Sequence, residues 1–205
     1  MAFVGGSVNV VGLLGFEHQA VTHLTGTTSL LAAALAEWQW SQALHLAVVI
    51  ASFVAGTVLS GFMIQNSTLQ LGRRYSVALA LEAVMLCGAV PLLNKGSDFG
   101  IYLASGACGL QNAMVSTYSG AVIRTTHVSG MFTDLGIFLG HALRGLEVDR
   151  RRLRLCVLVI SGFLCGGVQG AVAFHHLRYA ALFIPAGLTV AAAVVYDFYL
   201  LKRRG

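Results

Sequence analysis

Charge is the scarcest resource in this sequence. Lys, Arg, Asp and Glu together make up 10% of its 205 residues, against about 25% in an ordinary soluble domain. A chain so poor in charge cannot cover a water-facing globule. Only eight residues are acidic, so there is no acidic tail and no carboxylate cluster for a hard metal ion. Proline is reduced to Pro91 and Pro185, which excludes a proline-rich linker. The four cysteines, Cys87, Cys108, Cys156 and Cys165, fall inside apolar runs with no CxxC spacing. They read as packing residues and supply neither a disulfide framework nor a thiolate metal site.

What is present is apolar length. Hydrophobic residues make up 57% of the chain and the mean hydropathy is +0.77. Runs at 43–64, 76–93, 99–118, 155–174 and 180–201 each approach the roughly 20 residues needed to cross a hydrocarbon core about 30 Å thick. Residues 1–15 are shorter and lack a basic leading region, so they read as a working helix and not as a cleaved signal peptide. The expected class is an all-α, polytopic membrane protein.

The net charge of +5 does not point to nucleic acid, because the cations lie beside the apolar runs. Arg73 and Arg74 form one group, Arg144, Arg150, Arg151, Arg152 and Arg154 a second, and Lys202, Arg203 and Arg204 a third. Cytoplasmic loops are enriched in Lys and Arg, so all three groups are expected in the cytoplasm, together with both chain termini. That orientation puts residues 37–41, 94–98 and 175–178 on the outside, with Trp38 and Trp40 as interfacial anchors. Residues 17–36 and 119–143 then begin and end on one side each, so each is expected to be re-entrant, with a half-helix over 130–143 in the second.

A repeated phrase supports this plan. "VTHLTGTTSLL" at 21–31 and "TTHVSGMFTDL" at 125–135 align Thr22, His23, Thr25 and Gly26 with Thr126, His127, Ser129 and Gly130, 104 residues later. Arg74-Tyr75 matches Arg178-Tyr179 at the same offset, Asn9 matches Asn112 at 103, and "FVAGTVLSG" (53–61) resembles "FLCGGVQGA" (163–171) at 110. The expectation is six transmembrane helices arranged as two inverted three-span repeats, 1–96 and 97–205, each with a re-entrant half-helix element.

Non-helical backbone at membrane depth is tolerated where it is buried in protein or lines a water-filled cavity. Half-helix N-termini near Gly26 and Gly130 would aim free N–H groups at the midplane, an arrangement common at secondary-transporter sites. The expected substrate-binding residues are therefore His23, His127, Thr22, Thr126, Asn9, Asn112, Thr25 and Ser129. Imidazoles titrate near neutral pH and suit proton coupling. Glu82 and Asp134 are the acidic candidates for carrying a proton, since ionisable residues inside a membrane are costly without a role. Arg124 is read as an anion contact or, with Asp134, a loop clamp. Gln111 and Gln169 read as helix-to-helix hydrogen-bonding groups, and Gly56, Ser60, Gly166 and Gly170 as close-packing positions. Two histidines without clustered carboxylates or thiolates do not make a metal site, and His175-His176 is read as an exposed turn.

The segment "GLQNAMVSTYSGAVIRTTHVSGMFTDLGIFLG" (109–140) resembles the hallmark stretch of the YoaK-like family of bacterial integral membrane proteins, and "VTHLTGTTSLL" is similar to that family's first-repeat segment. Thr27 stands where the family pattern more often has Asn. The resemblance implies a multi-span protein of the bacterial inner membrane and assigns no activity.

The functional expectation is a secondary transporter or facilitator of a small polar metabolite, without cofactor, metal or nucleic-acid partner and with the lipid bilayer as solvent. A passive channel with paired half-helices and a non-enzymatic assembly partner are the alternatives. An intramembrane enzyme using His127 with Asp134 is disfavoured because no nucleophile phrase accompanies them. Six short spans bury little core, which allows a homodimer, but no motif fixes the oligomeric state.

Overall fold

A computed structural model describes residues 1–15, 24–64, 73–118 and 125–204. The candidate residues Thr22, His23 and Arg124 lie outside the described residues. Within them the chain forms eight α-helices: α1 Ala2–Gly15, α2 Leu24–Ala36, α3 Trp40–Met63, α4 Arg73–Asn94, α5 Phe99–Tyr118, α6 Val128–Leu143, α7 Arg150–Leu177 and α8 Phe183–Arg204, with a 3-10 turn Arg178–Leu182 before the last.

Three stretches are long and apolar enough to cross a membrane by length and composition: Trp40–Met63, Arg74–Asn94 and the nearly continuous Arg150–Lys202. Their large apolar side chains face outward, Phe62 among the most open, as expected where lipid is the solvent. This is a membrane protein. The α5 helix has the length of a span, but Gln111 and Asn112 dilute its apolar character, and it is not among the three. α1, with 14 residues, is about 21 Å long, short of a full crossing.

Local chemistry explains the helix ends. Asp149 caps α7, its carboxylate accepting from the backbone N–H groups of Arg151 (3.0 Å) and Arg152 (3.1 Å), which satisfies donors that a helix leaves open. The α4–α5 turn closes through Gly96 at φ +69°, with Lys95 and Ser97 N–H groups bonded back to the Leu92 carbonyl. Pro185 sits in the first turn of α8, where a missing N–H costs nothing. α6 begins at Val128, two residues ahead of the glycine expected to start it, so Gly130 lies in the first turn and not at the cap; Gly26 lies inside the described part of α2.

Close helix crossings hold the bundle together. α1 runs parallel to α7, and α3 runs parallel to α5. In the first pair, a Cβ on Gly6 would strike the backbone of Phe163, and one on Gly166 the backbone of Phe3. In the second pair, a Cβ on Gly109 would strike the backbone of Phe53, and one on Gly56 the backbone of Gly106. Only glycine permits such approach, and without a hydrophobic driving force between helices in lipid, this contact is the main source of association. Gly170 against Ser7 extends the first seam.

The remaining helices frame these pairs. α4 packs antiparallel to α5, with Leu93 over Gly100 and Leu103 over Gly88. It also meets α8, where Ser76 donates to Asp197 (2.5 Å) and Tyr75 stacks edge-on with Tyr196. α2 lies along α3 and α6 along α7, each leaving a broad outer face. The turns at 37–41 and 94–98 and the α7–α8 junction converge at one end of the bundle. The helix termini bearing Arg73, Arg74, Arg150, Arg151, Arg152 and Lys202 lie at the other.

Candidate functional site

Glu82 sits nine residues into α4, about 14 Å from that helix's start at about 1.5 Å per residue. It is 2% exposed. Its Oε1 accepts from the Gln111 amide at 2.7 Å, and its Oε2 has no hydrogen-bond partner. Gln111 Nε2 also lies 3.7 Å from the Met1 sulfur. A carboxylate has about four acceptor sites, and burial without enough donors is expensive. The residue is held there by the tight α4–α5 packing.

The polar seam continues along α5. Thr125 donates to Asn112 Oδ1 at 3.4 Å. Thr126 is buried beside Gly5, where an added Cβ would lie 3.2 Å from Thr126 Cγ2 and 3.3 Å from Gln111 Oε1. Gly5 thus leaves room for both Thr126 and Gln111 against α1. Asn9, one turn further along α1, is also buried. Glu82, Gln111, Asn112, Thr125 and Thr126 therefore form one continuous strip at mid-depth, drawn from α4, α5 and the approach to α6.

Other expected site residues lie elsewhere. His127 precedes α6 and is exposed, with no side-chain cap bond. Its ring folds over Gly130, where an added Cβ would fall 2.5 Å from Nδ1. Thr25 and Ser129 lie at the open starts of α2 and α6, and their carbonyls accept from Ser29 and Thr133 hydroxyls at 3.1 Å each. The same internal back-bond thus recurs in both helices. Asp134 lies on the exposed face of α6, so it and Glu82 occupy different environments. His175 and His176 stack edge-on at the exposed end of α7. Among the described residues no three His, Cys, Asp or Glu side chains converge as a metal site requires.

At the turn end of the bundle the structure opens into a cavity of about 710 Å³ between α1, α3, α4 and α5. Gln39, Trp40, Gln42 and His45 form one wall, and Asp98 and Tyr179 help form the other. His45 is the pivot. Its Nδ1 lies 3.0 Å from the Tyr102 hydroxyl and 3.6 Å from Asp98 Oδ2. The second contact is an ion pair only when the imidazole is protonated. Tyr179 donates to the Gly15 carbonyl at 2.7 Å, tying the end of α1 to the α7–α8 junction. His45 is not among the residues expected from the sequence, because its neighbours along α3 are apolar. The one local signal is Asp98 and Tyr102, four residues apart and so on one helical face.

The family described as "Protein of unknown function (DUF1275)" matches residues 1–195. No curated protein and no solved structure matches the chain.

Proposed function

The chain belongs to the DUF1275 family, and from that premise we propose that it is a secondary transporter or facilitator of a small polar solute, built from two inverted three-span repeats. The resemblance of residues 109–140 to the YoaK-like segment is compatible with this membership. Reciprocal packing supports the repeat. Gly6 meets Phe163 as Gly109 meets Phe53, and Gly166 meets Phe3 as Gly56 meets Gly106. Shifting α1 by 103 residues onto α5, and α3 by 110 onto α7, turns one seam into the other. α3 and α7 run in opposite directions through the bundle, as inversion requires.

The observation that carries the transport reading is Glu82. A buried carboxyl with one donor and a free Oε2, on a strip of amides and hydroxyls, is a costly arrangement for a purely structural position. In this reading Glu82 carries a proton, while Asn112, Thr126 and Asn9 supply hydrogen bonds to the solute. Thr25, Ser129 and His127 belong to the half-helix starts beside the strip and Asp134 to its cytoplasmic approach, while Thr22, His23 and Arg124 are assigned to the same site from the sequence alone. The basic end faces the cytoplasm of a bacterial inner membrane by the positive-inside bias, so the cavity opens outward.

Proteoliposomes carrying a trapped pH dye test this. Addition of a transported solute should acidify the lumen under an inward proton gradient. Glu82→Gln should reduce that signal to the level of protein-free vesicles. A panel of amines, amino acids, sugars and carboxylates that moves neither proton nor solute would defeat the reading.

A further inference from the structure

We propose that the open cavity at the turn end is a recognition site for a small organic cation, an ammonium-bearing solute. Its described lining carries one full charge, the carboxylate of Asp98, which is 64% exposed and so available to a ligand. No Lys or Arg lines the cavity among the described residues. Of the cations at this end, the Arg178 guanidinium lies 5.0 Å over the Phe174 ring, and Lys95, although in the same turn, is not among the lining side chains.

Other lining groups favour the same sign, although the helix dipoles do not decide it: α1 and α4 end at the cavity while α3 and α5 begin there. Gln39 and Gln42 offer amide oxygens; the Gln39 amide nitrogen is already engaged with Glu37 at 2.7 Å. Trp40, 62% exposed, presents the aromatic surface that best attracts an ammonium group. A cavity of about 710 Å³ is of the size that holds small metabolites, whose pockets run about 300–1,000 Å³.

Asp98 and Tyr102 both lie against His45, with Tyr179 lining the cavity as well. The cation site depends on the transport reading only for the movement of the solute after it has bound.

The test is calorimetric titration of the full chain in nanodiscs with choline and with ethanolamine, in mildly alkaline buffer. Acetate and the uncharged tert-butyl isostere of choline are the controls. At least one amine should bind saturably, and neither control should. Asp98→Asn should weaken binding by about ten-fold or more, as loss of a direct charge partner does, while Asp98→Glu restores it. Trp40→Leu should cost about five-fold, the equivalent of a cation–π contact worth roughly 1 kcal/mol. Circular dichroism and gel filtration establish that each variant is folded.

Equal binding of the uncharged isostere would overturn the proposal, as would the absence of saturable binding by either amine. So would an Asp98→Asn variant that binds like wild type. Wild-type vesicles separate the two readings. Saturable amine binding by the wild-type protein, with no solute movement in its vesicles, leaves the cation site standing and removes the transporter. Transport of another solute without amine binding does the reverse.

Discussion

Glu82 and Asp98 are both carboxylates on or beside α4, yet the fold treats them oppositely. Glu82 is 2% exposed and reached by one amide, whereas Asp98 is 64% exposed and shares its neighbourhood with an imidazole. The first is bound to its surroundings so tightly that changing either partner disturbs the bundle. The second can exchange partners with little structural consequence. A carboxylate that must change its protonation belongs in the first setting, and one that must greet a ligand belongs in the second.

The largest expected effect is on the buried side. Gln111→Leu strips Glu82 of its only described donor, and should destabilise the protein by about 2–3 kcal/mol, the cost of an unsatisfied buried polar group. Denaturant titration in mixed micelles measures it. The paired change Glu82→Leu with Gln111→Leu should recover most of that loss, ending within about 1 kcal/mol of wild type, because both partners disappear together. A double variant as unstable as the single would show that Glu82 has further partners. The smallest effect is on the open side. Asp98→Ala should change stability by no more than about 1 kcal/mol, while abolishing amine binding. A larger loss would mean that Asp98 is a structural cap and that the contrast with Glu82 is one of degree.

These two carboxylates also mark what the sequence could and could not reveal. Glu82 was legible because an acid inside "VALALEAVML" violates the apolar pattern around it. Its partner was not, since Gln111 lies 29 residues away on another helix, and only the packing of α4 on α5 joins them. Apolar length marked α3, α4, α7 and α8, and the Trp38 and Asp98 turns came from the breaks between runs. The start of α6 falls two residues earlier than expected because a glycine is a poor start signal, and His127, not Gly130, occupies the position before it. The cavity was invisible for a plainer reason. His45 and Asp98 are 53 positions apart, each unremarkable locally, and a concavity is a property of several helix ends and not of any one.

The seam between α1 and α7 sets a schedule for assembly. α1 is made first, but the surface that receives Gly6 and Ser7 belongs to a helix that begins at Arg150. Ribosomes add about 5–20 residues per second, so α1 waits on the order of 10 s for its partner to be synthesised. α3 waits a shorter time for α5. Throughout that interval the glycine face of α1 must be held by lipid or by the insertion machinery. The two halves of the chain are therefore not modules that mature in turn. Each is completed by the other, and nascent chains stopped short of α7 leave α1 without its principal seat.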